Sequence, residues 1–142
     1  MCIRDSIISS SKYSAKDNSD SFTELVDIYP TLCELAGITP PNYIQGQSLT
    51  PILENPKIIL KDEIYTRYKE GEAVIDKNYS YSEFVVGEKY LGNMLYDMKN
   101  DKKQNVDISK LPENKELVKK YSIKLKEMRN YVNKDPFENQ SN

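Results

Sequence analysis

Three pairs of carboxylates stand close enough in sequence to raise acid–base or metal chemistry: Asp62 with Glu63, Glu70 with Glu72, and Asp97 with Asp101. Two carboxyls that share a site can pass a proton between substrate and water, and a convergent set of oxygens can hold a hard cation. The spacing does not make these six converge, and no EF-hand loop pattern is present. They read as surface and turn carboxylates, and Asp27 reads as a helix cap rather than a base. Cys33, at an apolar helix position, reads as a buried thiol, and Cys2 with Cys33 defines no disulfide framework. The chain has no histidine, which removes the commonest general acid–base group. Arg67 has the chemistry to bind an anion. It lies between Tyr65 and Tyr68, and a guanidinium grips carboxylate or sulfate in bidentate fashion. The alternative is an arginine stacked on a tyrosine or paired with Glu72 across a hairpin. No catalytic or metal-ligating residue is assigned.

The elements that would position these groups follow from pattern. Residues 7–10 read as the end of a strand and residues 11–21 as a polar loop. Residues 22–26 form an extended lead-in, because Pro30 discourages one continuous helix from Phe22. A helix over 28–36 is capped by Asp27, tolerates Pro30 in its first turn and ends at Gly37. Its apolar face carries Ile28, Leu32, Leu35 and Ala36, which reads as a buried side, although little else in the chain is available to cover it. Pro40-Pro41 keeps the chain from rejoining the helix, and Ser48 caps a turn that carries Leu49, Ile52 and Leu53. Strands are predicted at 63–69, 72–76, 79–86 and 93–98, joined by tight hairpins. Tyr79 and Tyr81 alternate with serines at period two. Phe84 breaks that phase and predicts a bulge or twist near Glu83. The last helix presents Leu117, Val118, Tyr121, Leu125, Met128 and Val132 on one face. Asp135-Pro136 closes it, and residues 137–142 read as a disordered tail.

Composition sets the bounds. A chain of 142 residues suffices for one modest domain, and its 38% hydrophobic content and mean hydropathy of -0.69 are low for an independent core. The net charge of -2 argues against a dedicated nucleic-acid binder. Residues 99–135 hold 11 Lys/Arg against 6 Asp/Glu, read as a solvated lysine-rich helix in preference to an anion-attracting face. No apolar run approaches the ~18–20 residues that cross a membrane. The start of the chain lacks the cationic and apolar regions of a signal peptide.

Glu24-Leu25-Val26-Asp27-Ile28-Tyr29-Pro30-Thr31-Leu32-Cys33-Glu34-Leu35-Ala36-Gly37, followed by Gln45-Gly46-Gln47-Ser48-Leu49, resembles the segment after the catalytic region of sulfatases, particularly the iduronate-2-sulfatase-like group of the alkaline phosphatase superfamily. Glu63-Ile64-Tyr65-Thr66-Arg67-Tyr68, Gly71-Glu72-Ala73-Val74-Ile75-Asp76, Tyr79-Ser80-Tyr81-Ser82-Glu83-Phe84 and Leu95-Tyr96-Asp97 then follow in the order of a sulfatase C-terminal subdomain. The resemblance runs from about residue 7 to about residue 105. It implies sulfate-ester hydrolysis, with a formylglycine nucleophile made from a Cys/Ser-X-Pro-X-Arg motif and a calcium site in the full-length enzyme. Neither Cys2-Ile3-Arg4-Asp5 nor Cys33-Glu34-Leu35-Ala36 fits that motif.

The resemblance therefore implies the C-terminal portion of a sulfatase whose catalytic region lies upstream. The substrate it implies is a sulfated polysaccharide or glycosaminoglycan-like carbohydrate. Because the C-terminal subdomain of sulfatases borders the substrate cleft, the resemblance makes Arg67 the substrate-binding candidate. Calcium belongs to the full-length enzyme and no cofactor to this chain. The intact enzyme is expected in the periplasm or outside the cell, with no nucleic-acid or membrane partner. The expected fold is α+β: a small antiparallel sheet of about four strands packed by a C-terminal helix, plus an N-terminal helix from the truncated α/β core. Residues 1–6 read as a non-native leader, 7–56 as the end of the catalytic domain and 57–136 as the C-terminal subdomain. Two rivals stand beside this reading. One is a phosphoesterase of the same superfamily; the other is a glycan-binding module without chemistry.

Overall fold

The computed structural model describes residues 18–133. The readings made for residues 1–17 and for the tail from 134 lie outside those residues. The chain divides at Lys61/Asp62 into two compact units.

In the first unit, a short 3-10 turn over Leu25–Asp27 runs into helix α1, Ile28–Leu35. The lead-in is thus helical at 25–27 rather than extended throughout. Gly37 ends α1 as its left-handed conformation predicts, at φ +70. Gly37 N–H donates to Glu34 O (3.0 Å) and Ile38 N–H to Cys33 O (2.8 Å), the paired bonds of a Schellman stop. A one-and-a-half-turn helix, α2, follows at Thr50–Glu54 with Pro51 near its start.

Two expectations for α1 are corrected. Asp27 does not cap the helix, since its carboxylate bonds no first-turn amide of α1. It is fully buried and accepts the Glu24 N–H (2.8 Å), the Gln47 N–H (2.9 Å) and the Lys61 ammonium (2.7 Å). The buried side of α1 is also different, carrying Pro30, Thr31 and Cys33, while Ile28, Leu32 and Leu35 are 38–59% exposed. The reason is polar pairing. Asp27 and Thr31 are matched by the loop at 47–49, where Leu49 N–H donates to the Thr31 hydroxyl (2.9 Å), so the loop settles on that side. Gly46 lets it come close: a Cβ there would lie 2.0 Å from Val26 O.

The second unit is a four-stranded antiparallel sheet, β1 (Glu63–Tyr68), β2 (Gly71–Asp76), β3 (Tyr79–Val86) and β4 (Lys89–Asp97), in that spatial order. Helix α3, Lys115–Val132, covers one face. This is the α+β arrangement that the alternating strands and the apolar helix face predict. Strand alternation places Val74, Tyr81 and Leu95 in one row across the sheet, against Tyr121 and Leu125 of α3, and all five are buried. The Tyr121 ring meets Tyr79 edge-on with centroids 5.7 Å apart, and its hydroxyl donates to Asp76 Oδ2 at 2.5 Å. Asp76 Oδ1 also accepts the amides of Asn78 and Tyr79, so one carboxylate ties the β2–β3 turn to the helix.

The bulge falls where the phase break at Phe84 predicts it, between Phe84 and Val85. Phe84 pairs with Gly92 and Val85 with Tyr90, so the extra residue is Leu91, in β4 rather than β3. Gly92 takes φ +155 there, a conformation that favours glycine. β4 also starts at Lys89, four residues before its expected beginning, because Gly87 (φ +57) turns the chain back at once.

Candidate anion-facing end of the sheet

Next to the apolar row on the helix-covered face lies a polar one. Arg67 pairs in register with Glu72, Glu72 with Glu83, and Glu83 with Asn93, one residue from each strand. The two glutamates are 8% and 5% exposed. Like charges directly opposed on neighbouring strands repel, so burying this pair requires a cation. Arg129, in the last turn of α3, supplies it. Its Nε donates to Glu72 Oε2, and its Nη2 lies 3.8 Å from Glu83 Oε2. Glu83 Oε1 accepts the Tyr81 hydroxyl at 2.8 Å, and Asn93 donates to that same hydroxyl at 3.4 Å. Burial, reinforced by Glu83, pushes the Tyr81 phenol well above its ordinary value, so it stays a neutral donor.

Arg67 stands at the open end of this row. Its Nε comes within 3.6 Å of Glu72 Oε1, a charge contact too long for a hydrogen bond, and its side chain is 56% exposed. Tyr65 is its neighbour on the same face, with a phenol raised by burial and then by Glu72. The cation over the Tyr68 ring is Lys69, 5.5 Å from the centroid. The geometry therefore joins Arg67 to Glu72 across the hairpin while leaving the guanidinium open to solvent.

The six sequence carboxylates do not come together. Glu63 pairs with Lys124. Asp97 accepts the amides of Lys99 and Asn100, and Asp101 those of Asn105 and Val106, which makes both turn-formers. Glu72 alone among them joins the polar row. Among the described residues no group of three or more His, Cys, Asp and Glu side chains is placed to hold a metal ion. Cys33 is a buried free thiol. Among the described residues no helix is long and apolar enough to cross a membrane.

A second charged cluster lies in the first unit, where Lys61 bridges Glu24 (2.8 Å) and the buried Asp27. Burial opposes the ammonium charge, but hydrogen bonds to Asp27 and Glu24 more than offset it and hold the Lys61 ammonium above its ordinary value. All of its partners are internal, so it braces the start of α1.

Sequence reasoning missed Arg129, Glu83 and Lys61. Arg129 was legible only as a cation suited to the helix C-terminus. The period-two pattern of β3 does put Glu83 on the face of Tyr79 and Tyr81, and a carboxylate on an apolar face was the available signal.

A profile of N-sulphoglucosamine sulphohydrolase C-terminal regions matches residues 7–131. The chain is 33% identical over 96 residues to a Delta 4,5-hexuronate-2-O-sulfatase of Bacteroides thetaiotaomicron, an alignment covering 61% of this chain and 19% of that enzyme. Among solved structures it superposes, with a TM-score of 0.67 and 26% identity, on a protein in complex with its substrate D-glucosamine-2-N,6-O-disulfate, over 79% of this chain and 25% of that one. A phosphonate monoester hydrolase of Agrobacterium radiobacter shares the fold at a TM-score of 0.65 and 22% identity, over 79% of this chain and 26% of its own. The chain thus spans about a fifth to a quarter of the relatives it matches. The profile match runs over most of the chain, and the chain belongs to the N-sulphoglucosamine sulphohydrolase C-terminal family of sulfatases.

Proposed function

We propose that this chain is the C-terminal part of a sulfuric ester hydrolase acting on sulfated polysaccharide or glycosaminoglycan-like carbohydrate. In this reading the groups that cleave the ester lie in a preceding part of the same polypeptide. The observation that carries it is the family match, obtained over so small a share of each relative. The exposed side of α1 agrees with it. Leu25, Ile28, Tyr29, Leu32 and Ile38 are 42–65% exposed, an apolar surface that a preceding catalytic layer would cover. We assign residues 7–56 to the end of that layer and 57–136 to the C-terminal subdomain, supported by the division into compact units at Lys61/Asp62. Calcium and the formylglycine nucleophile belong to the preceding part.

Two outcomes check this. The chain as it stands is expected to turn over an aryl sulfate no faster than a mock-purified control, since no residue in it has the Cys/Ser-X-Pro-X-Arg context and it contains no histidine. Activity above that control overturns the division of labour. Recovering the upstream sequence tests identity directly. A Thr or Ser nucleophile without the sulfatase motif would make the protein a phosphoesterase, the reading that the shared fold with a phosphonate hydrolase keeps in view.

Within this function Arg67 is the substrate-facing side chain. Its exposed guanidinium is open to the carboxylate or sulfate of a sugar. In the full-length enzyme, Arg67→Ala should lower kcat/KM for a sulfated oligosaccharide roughly 10- to 150-fold, the loss of one charge-assisted pair of about 1.5–3 kcal/mol. A small aryl sulfate that does not reach this subsite should suffer far less. Equal losses on both substrates, or a fall in melting temperature alone, would make Arg67 a structural residue of the hairpin.

A further inference from the structure

We infer that Glu72 is the positioning residue of this subsite, holding the Arg67 guanidinium in place for an anionic sugar group while Arg129 fixes Glu72 itself. The inference rests on the reading of Arg67 as substrate-facing. Three observations carry it. First, Glu72 is the register partner of Arg67, and its two oxygens are divided: Oε2 accepts from Arg129, while Oε1 is the atom nearest Arg67. Second, the strength of the two contacts differs. Arg129 is hydrogen-bonded to a carboxylate that is 8% exposed, whereas Arg67 is approached only to 3.6 Å and has no side-chain hydrogen bond among the described residues. Glu72 thus steers Arg67 by charge without consuming its donors, and a planar fork held at one edge remains free to bind an oxyanion in bidentate fashion. Third, Glu72 does not depend on Arg67 for its own partner, so the outer arginine is spare to the fold. Arg129 serves both buried glutamates from the inner side.

The test is Glu72→Gln in the full-length enzyme, which keeps the shape, removes the charge and leaves Arg129 its contact with Glu83. The probes are a sulfated disaccharide bearing a uronic-acid carboxylate and an aryl sulfate. KM for the disaccharide should rise about fivefold, as expected for loss of an exposed charge contact, with little change in kcat for that substrate. Selectivity for the disaccharide over the aryl sulfate should fall by the same factor. Glu72→Asp should recover part of it, and adding Glu72→Gln to Arg67→Ala should cost nothing further. A wild-type KM in Glu72→Gln, alongside a clear Arg67→Ala defect, would overturn this inference and leave the subsite standing. An Arg67→Ala enzyme with unchanged selectivity would instead overturn the subsite. If Glu72→Gln lowers both substrates equally in step with its melting temperature, Glu72 is structural only; Glu72→Asp, which keeps the charge, supplies the same comparison should Glu72→Gln fail to fold.

Discussion

Arg129→Met should destabilise the sheet-and-helix unit by about 3 kcal/mol, the low end of what removing one partner from a buried charge cluster costs, since the arginine side chain is 27% exposed. Methionine keeps most of the length and apolar contact of the arginine stem, so the loss reports charge rather than packing. What remains in the variant is a pair of opposed glutamates, 8% and 5% exposed, with only the exposed Arg67 at 3.6 Å from Glu72. The cost should largely disappear when Glu72→Gln and Glu83→Gln are added, because a neutral row needs no cation. Arg129→Lys should fall between, restoring charge without the planar fork that reaches both carboxylates. Chemical denaturation followed by tyrosine fluorescence measures all of these. A wild-type midpoint for Arg129→Met would show that solvent already screens the glutamates and that the polar row is not buried in the energetic sense.

Gly46→Ala should disrupt the first unit by about 3 kcal/mol or more, the upper range of overpacking effects. The added methyl would sit 2.0 Å from Val26 O and 2.5 Å from Val26 C, and backbone atoms cannot swing aside as a side-chain tip can. The loop must then withdraw from α1, breaking the bonds from Gln47 to Asp27 and from Leu49 to Thr31. Asp27 and Thr31 would be left buried with fewer partners, and the penalty compounds. Amide hydrogen exchange should show Gln47 and Leu49 losing protection while the amides of β2 and β3 keep theirs. Gly37→Ala is the control. Nothing lies within 4 Å of its Cβ, so only its φ of +70 is strained, at a cost of about 1 kcal/mol. Retained protection at Gln47 and Leu49 in Gly46→Ala would mean the loop finds another path past Val26.

The elements governed by local pattern were legible before the fold was known. Alternation marked β3, the spacing of Leu117 to Met128 marked the covered face of α3, and Gly37 marked the end of α1. What escaped depends on partners far along the chain. Asp27 looks like a helix cap because the capping pattern is local, whereas its ammonium partner, Lys61, lies 34 residues on. Glu72 and Arg129 are 57 residues apart, and nothing in either neighbourhood announces the other. The phase break at Phe84 marked the place of the bulge, but not that the extra residue, Leu91, belongs to the facing strand. For α1 the apolar stripe was visible, but the hydrogen-bonding needs of Asp27 and Thr31 decided which side this chain buries.

The strand order has a consequence in time. Each strand pairs with its neighbours in sequence, so the sheet assembles from hairpins whose loops close quickly. Synthesis delivers Glu72 and Glu83 first and Arg129 almost fifty residues after the second of them. Until that arginine leaves the ribosome, the nascent sheet holds two facing glutamates with no cation from the helix to reconcile them. The last turn of α3 supplies the cation that the facing glutamates of β2 and β3 share, so this charge cluster is complete only after the whole sheet has been synthesised.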